Sequence, residues 1–180
     1  LVLRGAETVI LTNIGSAPVR TGVIRLDGNF NLASASIYSF SQSLSGTEIM
    51  VDASGGVFVG GQITESYGNG YSFVWKTYTD GSVAWTRKIN LYGYVCAELG
   101  IEGGQVVVPT YDGMFGAMMT YVSVTNGNIV GSTCEFLDSP NILRSTYPSF
   151  HIYSVGQQAL SNASLLEGKG SKMLQYIPLT

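Results

Sequence analysis

The residues able to do chemistry are few and scattered. His151 is the only histidine in the 180-residue chain, and it sits in the apolar stretch Phe150-His151-Ile152-Tyr153. A metal site or a catalytic triad built on it needs partners at defined spacing. The chain has no H-E-x-x-H, C-x-x-C or G-x-S-x-G pattern, which are the spacings that place ligands or a nucleophile on one face. His151 therefore reads as a structural or surface residue, and no catalytic or metal-ligating residue is assigned. Asp27 and Asp80 stand in Asp-Gly turn sequences, Asp52 ends an apolar run before Ser54-Gly55-Gly56, and Glu7 and Glu102 fall in corresponding turns. A calcium loop needs several oxygen ligands close together, as in D-x-D-x-D-G, and none is present. Paired carboxylates for glycosidic cleavage can still converge from distant positions. Gly55-Gly56, Gly60-Gly61 and Gly103-Gly104 lack the lysine and the following helix of a phosphate loop. They read as turns and close strand approaches.

Aromatic side chains are the remaining candidates. Tyr67, Tyr71, Tyr92, Tyr94, Tyr111 and Phe115 lie in or beside the connections of the middle of the chain. Exposed loop aromatics stack on sugar rings or anchor a protein partner. The competing reading is that they fill gaps between sheets, the role expected of Phe73, Trp75 and Trp85. Asn162-Ala163-Ser164 matches a glycosylation acceptor, which matters only in a eukaryotic secreted chain.

The elements that must position these residues repeat. Val2–Ile14 lies without a gap on Val51–Ile63, an offset of 49 residues, and a third copy at Leu99–Val108 follows at 48. Each copy reads apolar strand, small-residue turn, apolar strand. A second hairpin follows each one, turning at Asp27-Gly28, Asp80-Gly81 and Asn126-Gly127. These dipeptides predict two-residue type I′ turns, which need positive φ at both central positions. A degraded fourth copy begins near Phe150 and runs to Lys172–Pro178. The units are placed at about 2–46, 47–93, 94–146 and 147–180 of a single domain or a segment of a larger one. The second strand of each unit (Val9-Ile10-Leu11, Val57-Phe58-Val59, Val106-Val107-Val108) is apolar at consecutive positions. Such a run fits a strand covered on both faces. The expected fold is all-β, a propeller-like array of four-stranded antiparallel meanders with about four blades, the last incomplete. A β-sandwich or jelly roll is the alternative.

Composition narrows the partners. Charged residues make up 12% of the chain and the net charge is −3, with no basic run, so a phosphate-tracking nucleic-acid surface is not expected. No apolar stretch reaches the roughly 20 residues of a membrane span. No secretory leader pattern is present, and a start at Leu1 on a repeat boundary reads as a processed chain or a segment of a longer one. A low-charge chain rich in glycine and serine fits an extracellular or virion setting.

Met50–Gly61, Phe73-Val74-Trp75-Lys76 and Asp80–Trp85 resemble bacterial and phage β-propeller repeats. Those carry an Asp-x-x-Gly-x-x-Tyr-x-x-Gly first hairpin and a Lys-x-x-x-x-Gly second one. The hairpin with Trp85 is also similar to quinoprotein-like propeller repeats. The likeness is sharp in the second unit; the third has Gly100 in place of the aspartate, and the fourth lacks its turn glycine. It implies a fold and no active site, and the cofactor-binding acids and axial metal of quinoproteins have no counterpart here. The expected function is a non-enzymatic binding or assembly module of a secreted surface, filament or virion structure, without cofactor, with a protein partner or further copies of itself. The alternatives are a carbohydrate-binding module using the six aromatics, and a fragment of a propeller enzyme of quinoprotein or glycosidase type.

Cys96 is placed on the first strand of the third unit and Cys134 at or beyond its fourth. Three strand spacings separate such positions by roughly 14 Å, whereas a disulfide needs Cα atoms within about 7 Å. Non-reducing peptide mapping is expected to show no Cys96–Cys134 crosslink, and finding one would contradict the strand order.

Overall fold

The computed structural model describes residues 1–16, 18–64, 70–95, 98–112, 116–128 and 142–146. Tyr67, Cys96, Phe115, Cys134, His151 and Asn162 lie outside the described residues. Among the described residues every regular element is a β-strand. The first sheet is a meander of β1 (Val2–Arg4), β2 (Glu7–Ile14), β3 (Arg20–Leu26) and β4 (Leu32–Ser39). The second repeats that order with β5 (Ser43–Val51), β6 (Val57–Thr64), β7 (Gly70–Thr77) and β8 (Val83–Val95). The third contains β9 (Gly100–Glu102), β10 (Gln105–Asp112) and β11 (Gly116–Ser123). All pairings are antiparallel.

Two connections depart from a simple succession of units. Strand β8 serves two sheets: its body pairs with β7, while Gly93, Tyr94 and Val95 pair with Asp112, Tyr111 and Thr110 of β10. The second and third meanders are thereby one continuous ladder. Strand β12 (Leu143–Thr146) returns to the first sheet and pairs with β4, Leu143 opposite Ser39 and Thr146 opposite Ser36. Repeat spacing alone would leave these residues at the end of the third unit.

The sheets stack face to face. One core holds Val9, Val23 and Tyr38 of the first sheet against Val57, Val59, Ile63, Phe73 and Trp75 of the second. Phe73 and Trp75 lie parallel with centroids 4.9 Å apart, and Tyr38 tilts against Trp75 at 5.4 Å. The other core holds Phe58, Val74, Trp85 and Ile89 of the second sheet against Val95, Leu99, Val106, Val108 and Val122. Side chains alternate along a strand, so Val57 and Val59 enter one core and Phe58 the other. All three are fully buried. The middle sheet is thus covered on both faces, as the consecutive apolar run predicts, and a two-layer sandwich, which leaves each sheet one outer face, does not fit. The described residues are all-β, with antiparallel meanders stacked face to face in a propeller-like array.

Close stacking dictates glycine at Gly61. A Cβ there would collide with the Ser45 carbonyl and come within 2.8 Å of the Phe73 ring and 2.9 Å of the Gly46 backbone. The pair Gly60-Gly61 is therefore a close approach of strands. Gly103 and Gly104 form the β9–β10 turn with φ of 55° and 78°, the pattern a type I′ turn needs.

Two expectations need correction. The repeat offset of 48 aligns Phe58 with Val106, but these two residues meet in the same core from opposite sheets. The position equivalent to Val9 and Phe58 is Val107, 49 residues after Phe58, since Val9, Phe58 and Val107 stand opposite Arg25, Lys76 and Tyr121 in their ladders. A one-residue slip turns a strand over, and the Gly-Gly turns conceal it. The second hairpins are also not type I′: neither Asp27, Asp80 nor Asn126 has positive φ. In the β3–β4 loop the Asp27 carbonyl accepts from the Phe30 amide and the Asn31 carbonyl accepts from the Asp27 amide. The β5–β6 loop (Asp52, Gly55, Gly56) and the β7–β8 loop (Tyr78, Gly81, Ser82) have the same two bonds. This is a three-residue loop, a turn followed by one left-handed residue. That residue is Gly55, Gly81 and, in the first sheet, Phe30 with φ 61°.

A left-handed conformation costs a non-glycine residue about 1–2 kcal/mol, and Phe30 is 70% exposed, with little burial to compensate. Phe30→Gly is expected to stabilise the protein by about 0.5–1 kcal/mol in denaturant unfolding, while Phe30→Ala, which keeps the Cβ, gains nothing comparable.

Candidate functional site

The charged residues are best located by what they hold. Asp52 precedes the β5–β6 turn, and its Oδ1 accepts hydrogen bonds from the Ser54 amide (2.9 Å), the Ser54 hydroxyl (2.6 Å) and the Gly56 amide (2.8 Å). Its Oδ2 pairs with Lys76 Nζ at 3.0 Å. Burial on its own would raise this carboxyl's pKa; the Ser54 hydroxyl, the Lys76 ammonium and the Gly56 amide together hold it below the usual aspartate value. Lys76 also donates to the Val124 carbonyl of the third sheet at 3.4 Å and lies 5.0 Å from the Phe58 ring centroid. The first sheet repeats the device. Arg25 pairs with Glu7 at 2.7 Å and donates to the Gly55 carbonyl of the second sheet at 2.6 Å. Arg25 and Lys76 occupy equivalent positions, opposite Val9 and Phe58. Each cation satisfies a carboxylate in its own sheet and reaches a loop carbonyl in the next.

Other polar groups also join sheets. Asn13 donates to the Gly46 carbonyl and accepts from its amide, both at 2.9 Å, and the Thr21 hydroxyl donates to the Leu44 carbonyl. Trp85 Nε1 donates to the Val124 carbonyl, and Arg87 donates to the Gly127 and Asn126 carbonyls. Arg144 of β12 bonds Ser36 and the Asp80 carbonyl. Asp27 accepts from the Asn31 amide and side chain, and Asp80 from the Ser82 hydroxyl and amide. These bonds hold both carboxyls below the usual range. Asp27, Asp52 and Asp80 thus set backbone geometry, the role their turn sequences indicate.

Four of the six aromatic candidates fall in two register pairs along β8. Its register sets Tyr92 opposite Tyr71 of β7 and Tyr94 opposite Tyr111 of β10. Lys88 Nζ lies 3.6 Å from the Tyr71 ring centroid, a cation–π contact. Tyr71 is half-buried, and Tyr111 is 43% exposed. Tyr67 and Phe115 fall outside the described residues.

The arrangement also exposes two features that spacing did not reveal. The outward face of the third sheet carries Val107 beside Tyr121, Pro109 beside Met119 and Tyr111 beside Ala117. Met119 is 63% and Tyr121 38% exposed, while Thr120 and Val122 between and beside them are buried. The second feature is Glu48, beside an irregularity in the β5–β6 pairing. Burial and the charge of Glu98, from the connection before β9, push its carboxyl above the usual glutamate value. Among the described residues no group of three or more histidine, cysteine, aspartate or glutamate side chains is placed to hold a metal ion, and no helix is long and apolar enough to cross a membrane.

No protein-family model matches this chain, and no curated protein matches it either.

Asp52→Ala removes three loop hydrogen bonds and leaves the Lys76 ammonium, whose side chain is 14% exposed, without its carboxylate. The expected loss is about 2–3 kcal/mol in denaturant unfolding. The depressed pKa means that native Asp52 stays ionised where the unfolded chain has begun to take up a proton. Its stabilisation is present above the unfolded value near 3.9 and fades as pH falls through the lower native one. Thermal midpoints measured from pH 6 to pH 2 should show a shallower acid decline in Asp52→Asn than in the wild type.

Proposed function

We propose that this chain is a non-enzymatic binding and assembly module of an extracellular surface, filament or particle. The observation that carries the reading is the division of labour among its side chains. Asp27, Asp52, Asp80, Glu7, Arg25, Lys76 and Arg87 are engaged in turns and sheet-to-sheet bonds. The exposed large side chains of the third sheet, Tyr111, Met119 and Tyr121, are apolar or amphipathic. Tyrosine and methionine are enriched where proteins meet, whereas aspartate, glutamate and lysine are depleted there. The likeness of the second unit to bacterial and phage propeller repeats supports the same reading, because the shared residues are structural. Asp52 and Lys76, at the heads of its two motifs, form the ion pair under the loop.

The register pairs Tyr71 with Tyr92 and Tyr94 with Tyr111 favour carbohydrate as a second reading, since aromatic faces stack on sugar rings. The pair Glu48 and Glu98 favours a third, a propeller enzyme of glycosidase type, since a carboxyl with a raised pKa is the form a general acid takes.

Two measurements separate these readings. Glycoside and redox-dye substrates are expected to show no turnover with the full chain, and turnover abolished by Glu48→Gln with the fold intact would overturn the proposal. A glycan array is expected to be silent; signal lost on Tyr71→Ala or Tyr111→Ala would move the assignment to sugar binding. Glu48→Gln also has a signed effect on stability. A carboxyl whose native pKa is raised destabilises the fold as pH rises through that value, so the variant should melt higher than wild type at pH 7 and match it near pH 4.

A further inference from the structure

We infer that β12 is a releasable clasp, and that its work is to bring an arginine to a place in the first sheet where the repeat lacks its own. Each of the first two meanders grips the second hairpin loop of the next. In the second sheet Arg87 does this. It stands opposite Val74; its Nε donates to the Gly127 carbonyl at 2.8 Å and its Nη2 to the Asn126 carbonyl at 2.7 Å. Both carbonyls belong to the loop that follows β11. Val23 of the first sheet is the equivalent of Val74, since each lies two residues before the cation that faces Val9 or Phe58. The residue opposite Val23 is Ser36, and a serine is too short to reach the next sheet.

The β7–β8 loop is gripped all the same, from two strands. The Tyr38 hydroxyl of β4 donates to the Gly81 carbonyl at 2.8 Å. Arg144 of β12 donates through Nη2 to the Asp80 carbonyl and through Nε to the Ser36 hydroxyl at 3.1 Å. A guanidinium from 108 residues along the chain thus rests on the serine that stands in the arginine's place. It reaches the carbonyl of Asp80, the counterpart of Asn126 in the next loop. Gly81 keeps the space open, because a Cβ there would come within 2.9 Å of both the Arg144 guanidinium and the Ser36 hydroxyl.

Little else attaches β12. It adds four residues to one edge of the first sheet, and Ile142 just before it enters the core shared by the first and second sheets. Strands β3, β6 and β7 are instead paired over six to eight residues on both edges. A short edge segment with few buried apolar contacts opens at a free energy below that of global unfolding. Opening β12 withdraws the guanidinium from both acceptors at once and loosens the β7–β8 loop. It also bares the edge of β4, and a free edge can pair with another extended segment. An ammonium does not replace the planar fork that bridges a hydroxyl and a carbonyl.

Hydrogen exchange of the full chain, followed by mass spectrometry, tests the clasp. The loop reporters are the Tyr78 and Gly81 amides, which donate to the Ser82 and Tyr78 carbonyls. Arg144→Ala and Arg144→Lys should both speed exchange in β12 and at these two amides by at least about tenfold, with β6 and β10 unchanged. Ser36→Arg in the Arg144→Ala background supplies the arginine from the first sheet itself, as Arg87 does in the second. It should return the loop amides to the wild-type rate while β12 stays fast. Loop protection unchanged in Arg144→Ala overturns the inference, because Tyr38 then holds the loop unaided. Acceleration that spreads equally through β6 and β10 also overturns it, because β12 is then an integral part of the core. A folded double variant whose loop stays fast shows that an arginine is not what the first sheet lacks. The single substitutions decide the first two outcomes whether or not the double variant folds.

Discussion

Strand β6 has no solvent face, and the stack is organised around that constraint. Val57, Val59 and Ile63 point into the core shared with the first sheet, and Phe58 points into the core shared with the third. A strand in this position cannot alternate apolar with polar residues, because each parity meets a packed layer. Gly60 and Gly61 follow for the same reason. Leu99 and Val95 crowd Gly60 from one side, and Phe73 and the β5 backbone crowd Gly61. The Phe73 ring fills the space that Gly61 leaves, and Trp75 stacks on it. A polar residue at Phe58 would lie unpaired between two sheets, where an unsatisfied group costs several kcal/mol.

Apolar stacking leaves the sheets free to slide, and polar groups between them oppose sliding. Arg25 and Lys76 bond outward from equivalent places, each from a strand just before its turn to a carbonyl in the following sheet. Asn13 and Thr21 grip the backbone of Gly46 and Leu44. These bonds point in fixed directions and are satisfied only in one register, so they specify how one meander sits on the next. Charge in this protein serves alignment, which accounts for how few ionisable residues it needs.

That allocation bears on function. With aspartates capping loops and arginines bonding loop carbonyls, the outer face of the third sheet exposes Tyr111, Met119 and Tyr121, with the exposed Glu102 at its β9 edge opposite Gln105. The Glu48 carboxyl of β5 is raised first by burial and then by the charge of Glu98 in the connection before β9.

Much of this was legible in the linear order of residues because it is local. Hairpin number, turn positions and the length of each meander depend on residues a few places apart, and Asp52-Ala53-Ser54-Gly55-Gly56 carries its own loop chemistry. The doubly covered strand was legible too, since burial on both faces leaves an apolar residue at every step. Turn type was not: Asp-Gly fits several loops, and one extra residue moves the left-handed position from the dipeptide to the residue after it, onto Phe30 in the first sheet. The side toward which Val106 and Val107 point was lost to the same one-residue ambiguity. The pairing of Lys76 with Asp52, the register pairs Tyr71–Tyr92 and Tyr94–Tyr111 and the return of β12 to β4 belong to the tertiary structure alone. Each joins residues far apart in the chain, and such proximities exist only once the sheets have stacked and their registers are set.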